Sequence, residues 1–172
     1  MVKSSLKLGL ILLVICAVST GLLAYVNSIT APVINENNIK AQIEARKEVL
    51  PKASDFNDLG DGVFKGVDES GNLAGYTVNV KTAGYGGDID MIVGINSDNT
   101  VSGVAILSMS ETPGLGAKAN DEGFLSQYIA KNKTLELKKD IEAISGATVT
   151  STAVTNGVKK ALEKVENIGG GK

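Results

Sequence analysis

The stretch SGATVTS, residues 145–151, stands at the start of the last amphipathic segment of the chain. Downstream of it, to about Val165, apolar residues recur at spacings of three and four, which predicts a helix that packs one face against a sheet. The first N–H groups of a helix have no partner within the helix and attract anions, so this segment indicates a phosphate site. A Ser/Thr-rich helix cap without a ligand is the alternative interpretation.

Upstream of that helix, four segments show the alternation of apolar and polar residues that is typical of strands. These segments are residues 63–67, 73–83, 89–95 and 101–107. Because short turns join them, we expect antiparallel pairing in a meander. A short helix around residues 124–130 and a strand-like stretch at 135–137 complete a predicted α+β domain with an antiparallel sheet and packed helices.

The N-terminal part of the chain has a different composition. Residues 8–26, LGLILLVICAVSTGLLAYV, contain no charged side chain, and about 20 apolar residues span a hydrocarbon core. Lys3 and Lys7 precede this run and the next cation is Lys40, so the positive-inside rule predicts a cytoplasmic N-terminus and an extracytoplasmic domain. A cleaved signal peptide is the alternative, although the run is longer than a typical signal core.

Between the anchor and the domain, residues 30–33 (Thr-Ala-Pro-Val) have the hydroxyl cap and the first-turn proline typical of a helix start. Helix-favouring residues follow as far as Leu50, and Pro51 ends the segment. We expect a juxtamembrane helix here, with a solvated spacer as the alternative. The predicted organisation is an anchor at 1–26, a juxtamembrane helix and linker at 27–61, the domain at 62–168 and a flexible tail at 169–172.

The composition excludes several classes of site. The chain has no histidine and one cysteine, Cys16, so zinc sites, iron–sulfur motifs and disulfides in the domain are not expected. The net charge of −2 gives no indication of nucleic-acid binding. Cys16 lacks the small residues that precede a lipidated cysteine, and we interpret it as a small apolar side chain. Without an evident catalytic acid–base pair, the domain is better suited to holding a cofactor.

Two further motifs support a cofactor site. The loop ETPGLG, residues 111–116, contains a proline that fixes one backbone angle and two glycines that let the chain pass close to a flat ring. A glycine-rich turn, GYGG at residues 84–87, stands before the third predicted strand. An ordinary surface turn is the alternative interpretation of the loop. We expect Glu111 in this loop and Asp90 on the neighbouring strand to be solvated or structural carboxylates.

These three segments together resemble covalent FMN-binding domains, in which the motif S-G-A-T-x-T carries the flavin phosphate on its first threonine. That residue is Thr148 here. From the anchor to this motif, nearly the whole chain resembles the G subunits of Rnf complexes, the membrane-bound ferredoxin:NAD oxidoreductases that couple electron flow to ion translocation. The resemblance implies FMN joined through its phosphate to Thr148 by an extracytoplasmic flavin transferase that uses FAD, and a single-pass position in the membrane among other Rnf subunits.

The resemblance also implies which residues contact the cofactor. The expected set is Thr148, Ser145, Gly146, Ala147, Thr150, Ser151, Glu111, Thr112, Gly114, Leu115, Gly84 and Tyr85. The chain departs from the transferase's usual pattern at one position. An aspartate usually stands six residues before the modified threonine, and here Glu142 occupies that position, with Asp140 two residues earlier.

Alternative functions remain open on the sequence alone. The C subunit of the sodium-pumping NADH:quinone oxidoreductase shares the motif but is usually a longer chain. An anchored module without redox chemistry, which binds a phosphorylated ligand or holds a complex together, would keep the helix-terminus site. A flavin-bearing electron-transfer protein that acts outside an Rnf complex is the third alternative.

Overall fold

The computed structural model describes residues 2–169. The chain divides into two compact units after Lys40, and the first long helix, α1, spans Val2–Val49. The elements that follow are β1 (Asp55–Gly60), β2 (Val63–Val67), β3 (Leu73–Ala83), β4 (Asp88–Asn96), β5 (Val101–Met109), a 3₁₀ turn (Gly116–Asn120), α2 (Glu122–Leu125), a second 3₁₀ turn (Ser126–Tyr128) and α3 (Thr148–Gly169). The predicted tail at 169–172 begins at the last helical residue, and residues 170–172 lie outside the described part of the chain.

The first unit is an apolar helix with exposed side chains. Every side chain from Leu6 to Val26 is exposed, and the helix is long and apolar enough to contain a membrane span. The predicted helix start at Thr30 is wrong, because α1 continues through Pro32. The Thr30 hydroxyl donates to the carbonyl of Val26 at 2.8 Å instead of capping a new helix. Because proline has no backbone N–H, this long helix lacks one hydrogen bond at Pro32 and keeps the others.

The second unit is built on a five-stranded antiparallel sheet in the order β1-β2-β3-β4-β5. This meander confirms the four predicted strands and the predicted α+β class. Strand β1, with the sequence DFNDLG, was not predicted because its side chains are mostly exposed and polar, as at many sheet edges. The Asp61-Gly62 pair is the sequence feature that indicates the hairpin between β1 and β2. Both residues adopt the positive φ that tight hairpin turns require.

The segment between the sheet and α3 has little regular structure. The helix expected at 124–130 is present as α2 and the 3₁₀ turn that ends at Tyr128. The strand expected at 135–137 is wrong, because residues 135 and 136 have no regular structure and Leu137 forms only an isolated bridge with Ile141. Leu135 is 2% exposed and belongs to the core. The apolar alternation there reflects two leucines, Leu135 and Leu137, that pack a loop against the core.

Helix α3 packs against one face of the sheet. The predicted apolar stripe is confirmed, since the helix buries Val154, Val158, Ala161, Leu162 and Val165 against sheet residues that include Val80, Met91 and Val93. Tyr128 closes this core: its ring meets Phe124 edge to face at 5.6 Å, and its hydroxyl lies 2.8 Å from that of Thr155. Because the Thr155 hydroxyl donates to the Ser151 carbonyl, Tyr128 is the donor to Thr155.

The C-terminal end of α1 packs on the opposite face of the sheet. Ala45 and Val49 form a small core there with Ile92, and the Arg46 guanidinium stacks over the ring of Phe64 at 3.7 Å. Gly94 pairs with Gly103 across β4 and β5, and both lie directly under Val49. A Cβ at Gly94 would overlap the Val49 carbonyl oxygen, so the helix end needs a glycine at this position.

Replacing Gly94 tests this close contact. Gly94→Ala forces the end of α1 away from the sheet, and overpacking of this kind destabilises a fold by about 1–3 kcal/mol. Gly123→Ala is the matched control, because a Cβ there meets nothing within 4 Å. We expect thermal unfolding of the domain in the detergent-solubilised chain to show a lower Tm for Gly94→Ala and an unchanged or higher Tm for Gly123→Ala. Equal Tm values for the two variants would contradict the packing.

The buried phenol of Tyr128 predicts an alkaline effect on stability. Burial raises the pKa of Tyr128 from its ordinary value of 10.0 to about 12. The unfolded chain therefore loses this proton first, and the stabilisation present below pH 10 is lost as the pH rises towards 12. Tyr128→Phe should be less stable by about 1 kcal/mol at neutral pH, with a difference from wild type that shrinks between pH 10 and 12. A pH-independent difference would contradict this.

Candidate functional site

A cleft of about 510 Å³ lies at the N-terminal end of α3. Three segments that are distant in sequence form it: the turn at 84–87, the loop at 111–116 and the beginning of α3. Its volume falls within the range of small-molecule pockets. The lining residues are Tyr85, Glu111, Thr112, Leu115, Gly116, Gly146, Ala147, Thr148, Val149 and Thr150.

The backbone at the start of α3 suits an anion. Gly146 adopts a φ of 78°, a conformation that glycine enters without strain, and it turns the chain into the helix. The Ala147 carbonyl accepts the first helical bond, from Ser151 N–H at 3.0 Å. The N–H groups of residues 148–150 then have no partner within the helix and carry its partial positive charge. They form the end of the cleft at which a phosphate would be stabilised.

The hydroxyls of this helix differ in their availability. Thr150 is 1% exposed and donates to Glu111 Oε2 at 2.9 Å. Ser151 is buried, donates to the Ala147 carbonyl and accepts from Ile144 N–H. Thr152 donates to the Thr148 carbonyl at 2.7 Å. Thr148 and Thr152 are both exposed. Unlike that of Thr152, the hydroxyl of Thr148 makes no hydrogen bond within the described chain.

Glu111 joins the three segments of the cleft through one carboxylate. Its Oε1 accepts the N–H groups of Tyr85 at 2.8 Å and Gly86 at 3.3 Å, while Oε2 accepts the Thr150 hydroxyl. Glu111 is only 9% exposed, so this carboxylate is structural rather than solvated. Asp90, by contrast, is partly exposed on the sheet, where it accepts from the Ser108 hydroxyl, and it does not line the cleft.

The structure brings together eight of the twelve residues predicted to contact a cofactor. Gly84, Gly114, Ser145 and Ser151 do not line the cleft. Gly84 closes the neighbouring turn through its N–H to Gly87, and the hydroxyl of Ser151 is used inside the protein. Two lining residues were not in the predicted set. Gly116 ends the ETPGLG motif, and Val149 stands between two predicted threonines, so position within the motifs was the signal for both.

Apolar side chains are exposed around the cleft. Tyr85 is 75% exposed, Val149 53% and Leu115 46%. A flat ring system that covered these side chains would remove apolar surface from water. With the helix N-terminus and the free Thr148 hydroxyl beside them, these residues fit FMN, which combines a phosphate with a flat ring. Within the described residues, no cluster of metal-ligating side chains is present.

The acidic residues before the motif differ in their surroundings. Asp140 is used locally, because its Oδ2 accepts the Glu136 N–H at 2.8 Å. Glu142, at the position where the transferase pattern has aspartate, is exposed. Its own N–H donates to the Gln127 side chain at 2.7 Å, which fixes the backbone there. The exposed carboxylate of Glu142 is accessible to another protein.

Two family models match the chain. The model of the FMN-binding domain matches residues 84–163, which contain all three segments of the cleft. The model of the RnfG N-terminal region matches residues 1–49, the full extent of α1 as far as Val49. In structure, the chain is similar to crystalline NqrC from Shewanella oneidensis, with a TM-score of 0.53 and 25% identity over 65% of this chain and 66% of that one.

Three relatives show similarity over nearly the whole chain. The G subunit of the Na⁺-translocating ferredoxin:NAD⁺ oxidoreductase complex of Acetobacterium woodii is 37% identical, over 96% of this chain and 94% of its own. The G subunit of the ion-translocating oxidoreductase complex of Methanosarcina acetivorans is 36% identical, over 95% of each. The G subunit of the proton-translocating ferredoxin:NAD⁺ oxidoreductase complex of Clostridium ljungdahlii is 34% identical, over 94% and 91%. The chain therefore belongs to the family of the G subunits of ion-translocating oxidoreductase (Rnf) complexes.

Proposed function

We propose that this chain is the electron-transfer subunit of an Rnf-type ferredoxin:NAD oxidoreductase and carries FMN joined through its phosphate to Thr148. The observation that carries this proposal is the free, exposed hydroxyl of Thr148 at the N-terminus of α3, inside the segment matched by the FMN-binding family. The hydroxyls of Thr150, Ser151 and Thr152, which follow in the same helix, are already used in hydrogen bonds. The similarity to G subunits over nearly the whole chain supports the assignment to the complex.

The attachment is a phosphoryl transfer in which Thr148 is the acceptor. Thr148 Oγ1 forms a bond to the flavin-side phosphorus of FAD, the anhydride bond to the second phosphorus breaks, and AMP leaves. The proton of the threonine hydroxyl passes to a base on the flavin transferase. No oxidant or reductant is needed. On the acceptor side, the N–H groups of residues 148–150 stabilise the phosphate charge.

The side chains of the cleft would hold the cofactor rather than react with it. The apolar side chains of Tyr85, Leu115 and Val149 face the space that the ring would fill. Glu111, the carboxylate in the cleft, is occupied by three donors and is not free to act as a base. When bound, FMN supplies the reversible uptake and release of electrons, so the chain needs no acid–base pair of its own.

The apolar part of α1 supports a single membrane span. We propose a cytoplasmic N-terminus, on the basis of Lys3 and Lys7, and an extracytoplasmic domain, where the flavin transferase would also act. A covalent link suits this location, because a cofactor lost outside the cytoplasm could not be replaced from the cytoplasmic pool. The same helix would place the domain beside the other Rnf subunits.

We further propose that the coupled ion is bound by partner subunits. Relatives that are 37% and 34% identical to this chain carry Na⁺ and proton in their names, so similar G subunits serve complexes that move different ions. The apolar run of α1 at residues 8–26 contains no ionisable carboxylate that could bind either ion within the membrane.

Intact mass tests the covalent link. We expect the chain co-produced with a flavin transferase and exported to gain the mass of FMN less one water, and its denatured gel band to fluoresce. Thr148→Val should show the bare chain mass, because it removes the accepting hydroxyl at nearly constant volume. Thr152→Val is the matched control, one turn further along the exposed side of α3, and should gain the flavin as wild type does.

The contradictory outcomes are distinct. If wild type keeps the bare mass while the transferase modifies a known substrate, the chain is not a covalent flavoprotein, and an anchored module without redox chemistry becomes the better function. If Thr148→Val gains the same mass as wild type, the flavin is attached elsewhere.

A further inference from the structure

The Glu111–Thr150 contact has a geometric consequence for Thr148. Residues two positions apart in a helix point about 200° apart around its axis. With the Thr150 hydroxyl held inward by Glu111 at 2.9 Å, the Thr148 side chain is directed outward, in agreement with the burial of Thr150 and the exposure of Thr148. A rotation of the first turn by one residue would remove both features together.

We infer that Glu111, acting through the Thr150 hydroxyl, is the positioning residue that fixes the rotation of the first turn of α3 and so presents Thr148 as the acceptor of the flavin phosphate. This inference rests on the proposed function. Glu111 does not react with the flavin; it sets which hydroxyl of the helix faces the cleft. Thr150 is therefore a member of the site through its contact with Glu111 and not through the cofactor.

Glu111 is itself held from a second side. Its Oε1 accepts the N–H groups of Tyr85 and Gly86, so the carboxylate cannot swing away with Thr150 without breaking bonds to the 84–87 turn. A Cβ at Gly116 would lie 2.6 Å from Glu111 Oε2, which shows how closely the loop encloses this side chain. Hydrogen bonds to a charged acceptor are the stronger ones, so the contact can determine which way a short helical turn faces.

Further along α3, other contacts hold the helix but do not orient Thr148 directly. Ser151 bonds to Ile144 and Ala147, and Thr155 bonds to Tyr128. Both sets of bonds are retained when Thr150 is replaced. The helix should consequently stay folded in a Thr150 variant, while its first turn becomes free to rotate or fray. A loss of Thr150 is thus expected to affect the presentation of Thr148 more than global stability.

The test measures the rate of flavin transfer. Purified full-length chain in detergent is incubated with a flavin transferase and FAD, and intact mass is followed over time at a temperature well below the Tm of every variant. Thr150→Val keeps the shape and removes the hydroxyl, and we expect its rate to fall about tenfold. Thr150→Ser restores the donor and should react within about twofold of wild type. Thr152→Val should react at the wild-type rate, since Thr152 bonds only its own helix.

A double variant separates positioning from general loosening. If Glu111 acts through Thr150, Glu111→Ala combined with Thr150→Val should transfer flavin no more slowly than Glu111→Ala alone. Should Glu111→Ala fail to fold, Glu111→Gln replaces it, with a smaller expected loss, because its amide can still accept from Tyr85 and donate to Thr150.

Each outcome has one meaning. Slow flavin transfer to Thr150→Val, together with a rate near that of wild type for Thr150→Ser, supports the inference. A wild-type rate of flavin transfer to Thr150→Val overturns the inference and leaves Thr148 as the flavin site. Additive losses of transfer rate in the double variant have the same meaning. A wild-type chain that takes up no flavin overturns the proposed function, and the positioning role with it.

Discussion

One carboxylate connects the parts of the chain that form the cleft. Glu111 accepts hydrogen bonds from the 84–87 turn and from Thr150 at the start of α3, although these partners lie 25 to 39 residues away in sequence. A buried acceptor that lost one of these donors would be destabilised, because its desolvation would no longer be compensated. The shape of the cleft, the exposed apolar residues around it and the direction of Thr148 all depend on this group of bonds.

The sheet supplies the rigid surface on which those bonds are made. Helix α3 buries its apolar stripe on one face, and the last residues of α1 bury Ala45 and Val49 on the other. Because packed helices resist sliding, the N-terminus of α3 is held at one position relative to the strand ends that carry the turn and the loop. A site built from three segments of the chain thus gains the precision of the layered core beneath it, which the proposed covalent FMN would require.

The sequence predicted the parts of this structure that leave a periodic or compositional mark. Four strands, the stripe of α3 and the apolar helix have such marks, and the motifs around Thr148 and Glu111 located most of the cleft. Strand β1 was missed because an exposed edge carries no apolar alternation, and the start predicted at Thr30 failed because a hydroxyl and a proline can also lie inside a long helix. The burial of Ser151 and the bond between Glu111 and Thr150 depend on the rotation of α3, which only tertiary contacts determine.

The most direct test of a flavin on Thr148 is to locate the modified residue within one tryptic peptide. Trypsin releases residues 140–159, DIEAISGATVTSTAVTNGVK, which contain six hydroxyl side chains. Tandem mass spectrometry of this peptide from flavin-bearing protein should give fragments in which the mass of FMN less water first appears at Thr148. An added mass that first appears at Ser145, at Thr150 or at any later hydroxyl would contradict the assignment of the flavin to Thr148.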